Sequence, residues 1–84
     1  MNYRVLMLRR AQRELADIPR DAYPRLKEAI ASLAYDPRPK QAAKLSSRNG
    51  WRMRAGDYRA IYEIDDDIKT VTILHVGHRR DVYR

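Results

Sequence analysis

The sequence predicts an α+β fold, a two-layer β-α-α-β-β-β domain with a helical hairpin packed on one face of a mostly antiparallel four-stranded sheet. Three observations predict it. The apolar period is helical up to about residue 35 and drops to two after residue 50. Prolines and glycines sit mostly at punctuation points where the period changes. The chain has 84 residues, and a chain of that size buries about 60–65% of its unfolded surface. That allows one thin core of helices on a sheet, so residues 1–84 are read as a single domain.

Residues 3–8 form a short apolar strand bounded by charge. Ala11, Leu15 and Ile18 then mark one face of a helix, with Arg10, Arg13, Glu14 and Asp17 over the rest and Pro19 as its stop. Asp21 is a good N-cap for a second helix, and Pro24 is tolerated in its first turn. Ala22, Leu26, Ala29, Ile30 and Leu33 keep the helical spacing until Asp36-Pro37-Arg38-Pro39 ends it. Two helices joined by so few residues are expected to pack as an antiparallel hairpin.

Residues 40–50 read as a polar connection ending in the turn pair Asn49-Gly50. Trp51 and Met53 next alternate with Arg52 and Arg54, Gly56-Asp57 makes a tight turn, and Tyr58, Ala60, Tyr62 and Ile64 alternate with Arg59, Ile61 and Glu63. Asp65-Asp66-Asp67 is a solvent-facing turn. Ile68–Val76 is a β-branched run suited to a central strand, and the chain leaves the sheet at Gly77 as a basic tail.

Composition narrows the function. There is no cysteine, which excludes disulfides, thiolate zinc sites and a cysteine nucleophile. No apolar run is long enough to span a membrane and no signal peptide is evident, so a cytoplasmic protein without a membrane partner is expected. Eighteen Lys and Arg face eleven Asp and Glu, for a net charge of +7, and fourteen of those cations are arginine. The guanidinium fork grips phosphate oxygens in pairs and stacks on bases, so the bias points to nucleic acid or an acidic partner.

If Trp51, Met53, Tyr58, Ala60 and Tyr62 face the helices, then Arg52, Arg54 and Arg59 emerge together on the open face, because side chains two apart on a strand share a face. Like charges so close repel, and a surface built only for stability interleaves acids among them. Glu63 is the one acid on that side of these two strands. The tail brings Arg79, Arg80 and Tyr83 towards the same region. Two readings follow: a site for a phosphodiester backbone with a stacked base, or a basic sheet surface whose arginine stems cover apolar area.

Lys44-Leu45, the run Trp51–Ile64 with its Gly56-Asp57-Tyr58-Arg59, and Leu74–Tyr83 with Val76-Gly77-His78-Arg79-Arg80 closely resemble the RelE/ParE toxin superfamily, its RelE branch in particular. The resemblance extends to the N-terminal strand and to the Arg13-Glu14-Leu15 helix ending at Pro19. It implies a type II toxin that enters the ribosomal A site and cuts mRNA, and that a RelB-like antitoxin holds inactive in a hetero-oligomer. It also implies that the first strand lies beside the last. Matched by motif, Arg59 and Arg79 fall on the catalytic arginines and Tyr83 on the C-terminal tyrosine. Arg52 and Arg54 stand where the best-known members carry lysine. Guanidinium keeps its proton near neutral pH, so these two, with His78 and Arg80, are assigned to RNA binding.

RNA cleavage by the 2′-hydroxyl requires stabilisation of the phosphorane charge, a role that suits arginine. The open face carries no acidic cluster fit for two magnesium ions, so cleavage without metal or other cofactor is expected. Tyr83 and His78 both remain candidates for proton transfer, whereas His75, inside the last strand, reads as a packed or hydrogen-bonded sheet residue. Tyr3, Tyr23, Tyr35, Tyr58 and Tyr62 read as core or interface aromatics. Two other functions are compatible with the composition: a ParE-like toxin acting on DNA gyrase, and a non-catalytic basic nucleic-acid-binding module. A gyrase binder has no need of the full Arg59, Arg79, Tyr83 set, and the sequence shows no helix-turn-helix, RNP or zinc pattern for a plain binding module.

Overall fold

The structure, a computed structural model, describes residues 2–46, 50–78 and 80. Its elements, among those residues, are β1 (Arg4–Met7), α1 (Arg9–Ala16), α2 (Tyr23–Ser32), β2 (Ala42–Lys44), β3 (Gly50–Ala55), β4 (Tyr58–Asp65) and β5 (Thr70–His78). The expected α+β class and two helices are present, but the sheet has five strands, ordered β1-β5-β4-β3-β2. β1 runs parallel to β5, as the resemblance implies, and every other pair is antiparallel.

The extra strand is β2, within the stretch 40–50 read as a connection. Its three residues pair with Trp51, Arg52 and Met53. Two of them are alanines, which carry little β preference, so the strand forms because the outer edge of β3 offers unpaired backbone groups. Asn49 lies outside the described residues. Other boundaries also move. β5 begins at Thr70 and runs on through Gly77 to His78, while Ile68 is 67% exposed in the preceding turn. α2 is flanked at its start by Ala22, not Asp21, with Pro24 in the first turn. Residues 17–22 separate the helices, a longer link than expected.

Ala11 of α1 and Leu26, Ile30 and Leu33 around α2 close over Met53, Ala60, Tyr62, Val71, Ile73 and Val76 from the sheet. Burying a Leu or Ile side chain contributes about 1.5–3 kcal/mol, so this layer supplies most of the cohesion of a small domain. Tyr62 is fully buried, and its hydroxyl donates to the Pro37 carbonyl at 2.8 Å. Burial pushes its phenol up to about 12. The bond ties β4 to the segment that terminates α2.

One irregularity decides which side chains share a face. Between Ile61 and Tyr62 the partner on β5 jumps from His75 to Ile73, leaving Leu74 as an extra residue. Such a bulge resets the alternation. Ile73 and Val76, three residues apart, both reach the core as a result.

Candidate functional site

β3 and β4 alternate as the sequence predicts. Trp51, Met53, Ala55, Tyr58, Ala60, Tyr62 and Ile64 pack towards the helices. Their intervening neighbours Arg52, Arg54 and Arg59 therefore share the opposite face. The hairpin closes with Ala55 paired to Tyr58, so only Gly56 and Asp57 form the turn. Gly56 sits at φ 63°, a conformation that disfavours any side chain.

This tight closure puts Arg54 directly opposite Arg59 and Arg52 opposite Ile61. Residues directly opposed across antiparallel strands hold their Cβ atoms about 4.5–5.5 Å apart. On the other side of β4, Gly77 lies opposite Arg59 and His75 opposite Ile61. Two rows thus cross the face: Arg54–Arg59–Gly77 and Arg52–Ile61–His75. Arg54 is exposed and Arg59 half-buried, with its Nε fully buried. Among the described residues no ion pair engages Arg52 or Arg54. Glu63 lies beyond Ile61, opposite Gly50 and Thr72.

The other predicted site residues are placed differently. His78 is paired with Tyr58, and the two rings meet edge to face with centroids 5.5 Å apart. It therefore sits on the helix-bearing side, away from the three arginines. Its Nδ1 accepts the Arg80 backbone N–H at 3.2 Å, and the Arg80 residue is exposed. Arg79 and Tyr83 lie outside the described residues.

A second constellation lies at the β5 edge, where β1 has ended. The Glu14 carboxylate of α1 takes the place of a neighbouring strand. Its Oε1 accepts the Val76 N–H at 2.9 Å and the His75 Nδ1–H at 2.7 Å. Arg10 Nη2 lies 3.2 Å from His75 Nε2, and Arg10 Nε lies 3.5 Å from Glu14 Oε2. A guanidinium can only donate, so Nε2 is the acceptor and the network assigns the proton of a neutral imidazole to Nδ1. Burial pushes the Glu14 carboxyl up, but the Val76 amide and His75 outweigh it and hold the group below its ordinary value. The hydrogen-bonded reading of His75 holds. Helical spacing places Glu14 only off the Ala11 stripe and gives no sign of this role. Its partners are 61 and 62 residues away.

The far end of the sheet is built differently. Asp65 Oδ1 accepts the N–H groups of Asp67 and Ile68, as a turn former should. Asp66 accepts two bonds from Arg38, at 2.8 and 3.3 Å, and one from the Tyr3 hydroxyl at 2.6 Å. The Arg38 and Tyr3 bonds hold its carboxyl below the usual range. Arg38 also lies 5.4 Å above the Trp51 ring. Among the described residues no group of three His, Asp or Glu side chains converges as a metal site, and no helix is long and apolar enough to cross a membrane.

Comparison with known proteins agrees with this architecture. A family model described as the ParE toxin of a type II toxin–antitoxin system, parDE, matches residues 5–83. The toxin RelG of Mycobacterium tuberculosis is 32% identical over 90 aligned positions, covering all of this chain and 99% of that one. The archaeal RelE–RelB complex from Pyrococcus horikoshii superposes with a TM-score of 0.84 at 31% identity, over 98% of this chain and 100% of its counterpart. The RelBE2 toxin–antitoxin complex of M. tuberculosis gives 0.70 at 31% identity, over 94% and 100%. Matched along almost its whole length in sequence and in fold, the chain belongs to the RelE/ParE superfamily of type II toxin–antitoxin toxins, on its RelE branch.

Proposed function

We propose that this toxin is a ribosome-dependent endoribonuclease that cuts mRNA in the A site. The observation that carries the reading is the placement of Arg54 directly opposite Arg59, with Arg52 on the same face. Two cations in register repel, and the arrangement becomes favourable when a polyanion lies across them. In this mechanism the ribosome presents the mRNA backbone to the arginine face. The 2′-hydroxyl oxygen attacks its own 3′ phosphorus in line, and the 5′ oxygen leaves. Arg59 and Arg79 stabilise the charge that builds on the phosphorane, Arg52 and Arg54 hold flanking phosphates, and Tyr83 protonates the leaving oxygen. The chemistry draws its positive charge from guanidinium groups and calls for no cofactor.

The partner follows from the same charge. RelE–RelB complexes among the structural relatives support an antitoxin of RelB type. For a chain of net charge +7, an acidic segment that folds on binding is the complementary inhibitor. Induced alone, the toxin is expected to arrest growth, and new mRNA 5′ ends should map inside translated frames. Equal cutting of naked RNA with and without ribosomes counts against the reading. The family description that names ParE favours a second reading, poisoning of DNA gyrase. Trapped gyrase–DNA breaks beside intact mRNA are its distinguishing result.

A further inference from the structure

We propose that His75, oriented by Glu14, is the group that takes the 2′-hydroxyl proton during cleavage. The inference rests on the ribonuclease reading above and names a residue for the one proton-transfer role still unassigned there. Three observations carry it. The register places His75 in the row Arg52–Ile61–His75, one step along the strand pair from the row that contains Arg59. Gly77, which adds no side chain, is the residue of β5 opposite Arg59, so nothing projects between that arginine and the histidine on β5. The carboxylate of Glu14 holds Nδ1–H at 2.7 Å, which leaves the lone pair on Nε2. A carboxylate fixing the tautomer of a histidine from behind is the arrangement by which imidazole becomes an oriented base.

The base is also reachable. The His75 side chain is 18% exposed. Among the described residues Arg10 meets its Nε2, and the Arg10 side chain is 64% exposed and held there by weak, solvent-facing contacts. A phosphate draws such an arginine away at small cost, and the displaced guanidinium then adds a fifth cation to the four arginines already on the substrate. The charged and titratable groups around His75 are Arg10, Glu14 and Asp17 from α1 and its end, Arg59 from β4, Arg52 from β3, and His78 on its own strand. His78 does not compete for the role, because its ring is turned to Tyr58 on the opposite side of the sheet and its Nδ1 accepts the Arg80 amide.

The step balances as follows. The O2′–H bond breaks as its proton passes to His75 Nε2, the O2′–P bond forms, and the P–O5′ bond breaks. The 5′ oxygen takes a proton from the Tyr83 hydroxyl or from water, and the products are a 2′,3′-cyclic phosphate and a 5′-hydroxyl end. The imidazolium formed on His75 is stabilised by Glu14, and it returns its proton to solvent before the next turnover.

The experiment is single-turnover cleavage by the full chain on ribosomes carrying mRNA in the A site, followed across pH. Wild type is expected to lose rate on the acid side as its base becomes protonated. His75→Gln should cleave about 10²–10⁴-fold more slowly, lose that acid limb, and bind the programmed ribosome as tightly as wild type. His75→Ala should regain rate when free imidazole is added. Glu14→Gln, which keeps an acceptor for the Val76 amide, should lower the rate with little change in ribosome affinity. An unchanged acid limb in His75→Gln, or a slow His75→Ala that imidazole does not rescue, makes His75 a structural residue and overturns the assignment alone. Wild type that cuts no ribosome-bound mRNA overturns the ribonuclease reading and this assignment together.

Discussion

The two ends of the sheet treat arginine in opposite ways. At the β4–β5 turn, Arg38 is committed: its guanidinium meets Asp66 in two bonds, covers Trp51, and shares its acid with Tyr3. At the β3–β4 turn, Arg54 faces Arg59 across the ladder, and no ion pair among the described residues engages Arg54 or Arg52. The first arrangement joins three segments of the chain and asks for nothing further. The second sets two like charges in register across neighbouring strands. On the proposed function, the difference separates an arginine that holds the fold from arginines that grip phosphate.

The largest expected effect comes from Arg54→Glu, which places an acid opposite Arg59. Cleavage of ribosome-bound mRNA should fall by about 10²-fold or more, in the range seen when one charge-stabilising donor is lost. Unfolding measurements on the same protein should show stability unchanged or raised by about 0.2–1 kcal/mol, because a repulsive cross-strand pair becomes attractive. A loss of both activity and stability would place Arg54 with the arginines of the other end.

Tyr62→Phe tests the committed end. It leaves the buried Pro37 carbonyl without its donor and should cost about 1–3 kcal/mol by denaturant titration, with the cleavage rate per folded molecule unchanged. The pH dependence has a definite sign. The Tyr62 phenol is raised from 10.0 to about 12 in the fold, so the unfolded chain ionises first. Its contribution is complete below pH 10.0 and is lost as pH rises from there towards 12. Tyr62→Phe should flatten that part of the alkaline stability curve.

Asp66→Asn is a milder test of the same end, since the network is solvent-exposed and such pairs contribute little. Melting should drop modestly at neutral pH. The carboxyl is held below its usual value, so its contribution is present above the ordinary carboxylate range and disappears as pH falls through the lowered value; the variant should lose that acid dependence. The smallest effect is expected for Arg52→Ala: weaker ribosome binding, with the slope of log affinity against log salt reduced by about one.

How much of this was legible in the sequence depends on how local the signal is. Arg52, Arg54 and Arg59 could be placed on one face because a two-residue turn between alternating strands sets the register by itself. β2 could not be found, because Ala42-Ala43-Lys44 has no period or propensity of its own and exists only through pairing with β3. The bulge at Leu74 was hidden because β5 is apolar on both faces, which erases the alternation that would reveal a slip. For the same reason the side of the sheet taken by His78 could not be read. Glu14 looks like any polar residue on a helix flank, since its role depends on a histidine 61 residues away.

The most direct test of the account is cleavage of one programmed mRNA by wild type and by Arg54→Glu, with and without ribosomes, at matched folded concentration. The account predicts a cut in the A-site codon by wild type on ribosomes, little cutting of naked RNA, and a strong loss in a variant that melts no lower than wild type. Cutting that proceeds equally without ribosomes, or a variant as active as wild type, contradicts it.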